Sequence, residues 1–199
     1  MPKFDPSTRP TATPWGPPQS GTQLLNGIWS VETASHGGLM LSDQRQAAMP
    51  EALRRSDCHY EEDVDYALVV MAFEAEFLAA YAHGAILVRN ARDTVRNWQP
   101  DAYAAFTDEE VTARNSHIQR RREAYASRIG KIVVTSAFGE WADWVPAGKT
   151  GVFGMNLAWV NHLGHANYTG EAVRALVDAG AYDARVDVIS FDELDAVVC

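Results

Sequence analysis

Apolar and polar side chains alternate through Gly27-Ile28-Trp29-Ser30-Val31-Glu32-Thr33, the period of a half-buried strand. Ser35-His36-Gly37-Gly38 then supplies turn chemistry and Leu39-Met40-Leu41 a return strand, so a β-hairpin is predicted. Upstream, residues 1–20 hold six of the nine prolines among Ser and Thr. Proline fixes φ and removes a donor, so this arm is neither helix nor central strand, and Trp15 is its expected anchor.

Ser42 or Asp43 caps a short helix through Ala48, stopped before Pro50, and another helical turn covers Glu51–Arg55. Tyr60, Val64, Ala67, Leu68 and Met71 recur at i, i+4, i+7, i+8 and i+11, which predicts a helix from Tyr60 to about Phe73. Helical composition resumes from Glu74 to Trp98, broken or kinked near Gly84, and Pro100 opens a further turn through Phe106. Thr107-Asp108-Glu109-Glu110 has the form of a capping box, opening a helix to Arg128 that stops at Gly130.

Beyond Gly130 the period changes. Residues 131–135 and 150–154 read as strands, separated by Trp141, Trp144 and a Pro146-Ala147-Gly148 turn. A helix is predicted over Glu171–Ala179 with Thr169 as its cap, a strand over Arg185–Ser190, and a terminal helical turn over Asp192–Val198. The expected class is α+β: an N-terminal β-hairpin, a helical middle and a small mixed α/β C-terminal part. This gives a Pro-rich arm at 1–20, a main domain at 21–130 and a smaller part at 131–199, either separate or continuous with the main core.

Composition narrows the class little further: 199 residues, 47% hydrophobic and 22% charged, exclude disorder, collagen and coiled coil as global descriptions. The formal charge of −9 argues against direct nucleic-acid binding, which depends on cations replacing phosphate counterions. An acidic surface serves solubility, and it also suits docking onto a basic protein or nucleoprotein complex. Two distant cysteines, no apolar leader and no apolar stretch near the ~20 residues of a membrane span predict a cytoplasmic protein with no membrane association.

Four groups of residues have chemistry to offer. His36 at a hairpin tip, followed by two glycines, can act as base, acid or metal ligand; it can equally be a solvated turn residue. Glu61, Glu62, Asp63 and Asp65 crowd a helix start, where Glu61 and Asp65 share a face. They either favour the helix dipole or hold a divalent cation, and His36 or Arg45 would relieve their repulsion. His162 and His165, with Cys58-His59, lack the further ligands of a zinc site. Arg89, Arg92 and Arg96 align at i, i+3 and i+7 and, with Trp98, would form a phosphate-reading stripe or a plain solvated face, whereas Arg120-Arg121-Arg122 cannot share one face. No GxxxxGK[ST], GxGxxG, HExxH or GxSxG signature occurs.

Trp15-Gly16-Pro17-Pro18-Gln19, Ser35-His36-Gly37-Gly38-Leu39-Met40-Leu41-Ser42, Tyr60-Glu61-Glu62-Asp63 and Arg96-Asn97-Trp98-Gln99-Pro100-Asp101-Ala102-Tyr103 occur as ordered blocks. Together they resemble an uncharacterised domain family carried by proteobacterial plasmids, integrated elements and phages, over about residues 15–106. Residues 138–146 are similar, more weakly, to a tail of some members. The family has no assigned activity; the resemblance implies a mobile-element setting, where small acidic proteins often counter host defences or assist maintenance of the element.

Two functions are therefore expected. The first is an acidic accessory protein that binds a host nucleic-acid-processing or defence protein, like an anti-CRISPR or antirestriction inhibitor, and needs no cofactor. Its binding residues would include Glu61, Asp63, Asp65, Arg45, Arg92, Arg96 and Trp98. The second is a metal-assisted hydrolase of nucleotides or phosphodiesters, with His36 and Glu62 catalytic, neighbouring carboxylates holding a divalent metal and Arg45 as a charge clamp.

Overall fold

A computed structural model describes residues 3–199, and its packing divides the chain into one unit ending at Ser116 and another, His117–Cys199. The fold is α+β, with two four-stranded antiparallel sheets and seven α-helices among the described residues. Among the described residues no helix is long and apolar enough to cross a membrane.

In the first unit the predicted hairpin is the centre of a larger meander. β2 (Ile28–Glu32) and β3 (Gly37–Leu41) pair as expected, flanked by β1 (Ser20–Leu25) and β4 (His59–Glu61) in the order β1-β2-β3-β4. β4 replaces the start of the helix predicted from Tyr60. The edge of β3 takes its hydrogen bonds from this segment, with Leu39 opposite Tyr60 and Gly38 opposite Glu61, and Tyr60 is fully buried. The helix begins only at Tyr66, so the acidic run precedes it rather than forming its first turn.

Helices cover one face of the sheet. Ile28, Leu39, Leu41 and Tyr60 point inward into a core shared with α2 (Tyr66–Ala72). Five successive α2 residues, Ala67 to Met71, are buried, so this helix is enclosed all round. Each fully buried Val, Leu or Met side chain there contributes about 1.5–3 kcal/mol. α3 (Glu74–Ala80) and α4 (Gly84–Trp98) meet at the expected break; α4 buries Val88, Ala91 and Val95 at i, i+3 and i+7. Gly84 is required there, because a Cβ would lie 2.5 Å from the Phe77 carbonyl oxygen. α1 (Asp43–Ala48) is capped by Ser42 as expected, the next helical turn is a 3-10 segment at Glu51–Leu53, and α5 is Pro100–Thr107.

The other face of the sheet is covered by the proline-rich arm. Trp29 Nε1–H donates to Ser7 Oγ at 3.0 Å, and Thr33 Oγ1 lies 3.3 Å from the Trp15 carbonyl oxygen. The Trp15 ring lies so close over Gly38 that a Cβ there would sit 2.6 Å from it. Trp15 is thus the expected anchor, and Phe4, buried edge-on against Phe73 at 5.7 Å, is a second.

The predicted Thr107 capping box is absent. Thr107 ends α5, its hydroxyl donating to the Tyr103 carbonyl, and Asp108 turns left-handed at φ 56°. The helix after it, α6 (His117–Ala126), starts well past Thr107 and is the first element of the second unit. There β5 (Ile132–Phe138) and β6 (Lys149–Val160) extend the two predicted strands.

The predicted helix at Glu171–Ala179 is instead the end of β7 (Ala166–Asp178), the long partner of β6. Val173, Ala175 and Val177 alternate inward against Val152 and Phe191; hydrogen bonding along β6 overrides the helical propensity of the Ala-rich segment. Arg185–Ser190 forms no strand: only Ser190 bridges, to Val133. A short α7 (Ala179–Asp183) follows β7, and the tail is a 3-10 turn, Asp192–Leu194, followed by β8 (Val197–Val198) beside β7.

Candidate functional site

The residues on the helix-facing side of the first sheet change character along the strands. Pairing sets Ile28 opposite Leu41, Ser30 opposite Leu39 and Glu32 opposite Gly37, and directly opposed residues share a face. One end of that face is therefore core. At the other end Ser30, Glu32 and Glu62 line a cleft of about 260 Å³, floored by Leu24, Leu39, Val70, Phe77 and Leu87 with Tyr66 beside them. This is an apolar pocket with a few polar groups at its edge.

Gly37 sets the position of Glu62. The Glu62 backbone N–H donates to the Gly37 carbonyl at 3.1 Å, which places Gly37 between Glu32 and Glu62 across three strands. A Cβ at Gly37 would lie 2.7 Å from Glu62 Oε2. The missing side chain leaves the Glu62 carboxylate room to lie over β3.

His36 stands at the tip of the same hairpin, held by Thr33. Thr33 N–H and Oγ1–H both donate to the His36 carbonyl, at 2.8 and 2.7 Å, and His36 N–H donates to Thr33 Oγ1 at 3.2 Å. Its side chain is 59% exposed, with Nδ1 4.0 Å from Glu61 Oε1. One ligand atom each from His36, Glu61 and Glu62 lies within 4.8 Å of the others, a spacing that a divalent ion bound through nitrogen and oxygen could close.

The remaining predicted site residues go elsewhere. Arg45 is wholly buried: Nε–H donates to the Asn26 carbonyl at 2.8 Å, and Nη1 and Nη2 grip Glu76 at 2.6 and 2.8 Å. Its guanidinium carbon lies over both the Phe4 and Phe73 rings, 3.6 and 4.5 Å from their centres. Asp65 is engaged by Arg55 and by Gln99, and it shares no helix face with Glu61, which is on β4. Arg92 is tied to Glu74 and Arg96 to Asp93 and the Asn115 carbonyl, so two members of the expected phosphate stripe serve internal pairs. Trp98 ends α4 at 45% exposure.

Asp63 turns back through its N–H to Glu61 Oε2 at 2.8 Å. The Cys58 thiol is pushed up by burial, the opposite of an activated nucleophile. His162 and His165 occupy the β6–β7 turn, where Asn161 Oδ1 accepts from Leu163 N–H and His165 N–H. The sequence reading missed the cleft itself. Its signal was Ser30 and Glu32 falling on the same strand parity as Ile28, polar residues facing a helical layer that does not fill the space above them.

Fold and site together define a two-unit α+β protein with a carboxylate-rimmed cleft in its first unit. The chain belongs to a family described as a domain of unknown function (DUF7007), whose match covers residues 8–129, from the proline-rich arm through α6. No curated protein and no solved structure matches it.

Proposed function

We propose that this is an acidic accessory protein that docks, through the rim of its first-unit cleft, on a basic face of a nucleic-acid-processing or defence protein. The mobile-element setting suggested by its sequence blocks, on plasmids or phages of proteobacteria, fits an antirestriction or anti-CRISPR role. The observation that carries this reading is the set of carboxylates without a cationic partner. Among the described residues no Lys or Arg pairs with Glu32, Glu61, Glu62 or Asp63, whereas Glu74, Glu76, Asp65 and Asp93 are all neutralised by arginines. The first unit also carries most of the excess negative charge: sixteen Asp and Glu stand against nine Lys and Arg up to Ser116, and ten against eight beyond it. Such a surface presents to a basic groove the charge that nucleic acid would present.

The test is expression in a host challenged with restricted phage or CRISPR-targeted plasmid, with cross-linked recovery of bound protein. Protection together with recovery of a defence component supports docking; neither protection nor recovery contradicts it.

A second reading, a metal-assisted phosphodiesterase or nucleotidase, is favoured by the convergence of His36, Glu61 and Glu62 donors. His36 would serve as ligand or base and the carboxylates as ligands, with no clamp from the buried Arg45. Manganese- or zinc-dependent hydrolysis of bis-p-nitrophenyl phosphate, lost in His36→Ala and Glu62→Ala at unchanged melting temperature, would establish it. No turnover with either metal removes it.

A further inference from the structure

The cleft offers more than surface charge. Glu32 and Glu62 flank its mouth on one sheet face, and the space behind them is apolar, with Tyr66 and Phe77 among its walls. On the same face Ser30 carries a hydroxyl that bonds to no other described residue. A point charge with a tight hydration shell is poorly served by such a site. A flat, weakly hydrated cation on an apolar stem is well served, because it can lie against aromatic rings while its edges meet carboxylates.

We propose that the cleft is a receptor for one arginine side chain of the basic partner. The aliphatic stem runs along the Leu39 and Val70 side of the cleft, and the guanidinium lies against Tyr66. Its fork donates to Glu62 and to Glu32, whose Oε2 also accepts from Ser20 Oγ–H at 2.6 Å, with Ser30 accepting a further N–H. Arginine presents five donors in a planar fork, enough for both carboxylates and the hydroxyl, whereas the ammonium of lysine is a compact point charge. An arginine sunk in a desolvated pocket is also the kind of residue on which interface affinity concentrates. The inference rests on the docking reading and assigns its central contact.

The test needs no partner. N-acetyl-arginine methylamide, its neutral citrulline counterpart and its lysine counterpart are titrated into the whole chain and followed by backbone amide NMR. The expected result is saturable shifts at Ser30, Glu32, Leu39 and Glu62 with the arginine probe. Binding should be at least tenfold weaker with citrulline, weaker with lysine, and at least tenfold weaker for arginine in the Glu32→Gln/Glu62→Gln variant at unchanged melting temperature. Equal response to citrulline, shifts spread over unrelated acidic residues such as Asp43 and Glu51, or full binding by the double variant would overturn it. If the arginine probe fails here while the chain still captures a defence protein, the arginine contact falls and the docking function stands; if it binds while no partner is captured, the reverse holds.

Discussion

Arg45 and Gly37 show how single residues set this structure. An arginine held in full burial by one carboxylate, one carbonyl and two aromatic faces leaves Glu76 uncompensated if it is removed. Breaking one side of such a pair costs about 3–5 kcal/mol, so Arg45→Ala should lose about that much in urea unfolding. A loss below about 1 kcal/mol would show that Arg45 does not hold the first unit together. Nothing near Arg45 in sequence reveals this role, since Phe4 and Phe73 come from distant segments; its charge alone made it look like a site residue. Gly37→Ala has a different signature. Its Cβ must push the Glu62 carboxylate or the Val31 carbonyl, each 2.7 Å away, and overpacking of this kind costs about 1–3 kcal/mol. A Gly37→Ala protein as stable as the parent would contradict the close approach of both the Glu62 carboxylate and the Val31 carbonyl to Gly37.

Elements were legible where local pattern and tertiary demand agree. The hairpin, the short capped helix α1 and the break at Gly84 follow from turn residues, a Ser cap and a glycine that the packing also needs. They misled where long-range pairing wins. Tyr60 and the Val173–Val177 segment both satisfy a helical spacing, yet each supplies a strand to a neighbour that would otherwise keep open backbone groups. The proline-rich arm was read correctly as neither helix nor central strand, but its work as the cover of one sheet face was not visible, because prolines say only what a segment cannot form. The arm's measurable anchor is Phe4, which packs on Phe73 and Arg45 in the helix-side core. Phe4→Ala should cost about 3–5 kcal/mol in the unfolding of the first unit, by cavity formation and loss of the Arg45 stack. An unchanged transition would show that the arm is not docked in solution.

At the scale of the whole molecule, several carboxylates are committed to arginine pairs, whereas those at the cleft rim are not. The second unit supplies an internal pair with a pH signature. Arg128 and, after it, Ser190 hold the Glu193 carboxyl down to about 2, against its ordinary value of 4.5 in the unfolded chain. The folded state therefore favours the carboxylate. Its stabilisation is complete above about pH 4.5 and is lost as pH falls towards 2. Glu193→Gln should be less stable than the parent at neutral pH and converge with it at pH 2; a constant gap from pH 6 to 2 would contradict the assignment.

The rim carboxylates, by contrast, pair with no Lys or Arg among the described residues and accept only from Ser20 Oγ–H (to Glu32) and the Asp63 N–H (to Glu61). Replacing them by amides, which keep an acceptor oxygen, should therefore leave folding intact and remove function. The direct measurement is protection of a challenged host by the variant Glu32→Gln/Glu61→Gln/Glu62→Gln/Asp63→Asn, beside the parent chain at matched expression and melting temperature. If the rim is the docking surface, protection falls by tenfold or more. Full protection by the folded, neutralised variant would contradict it.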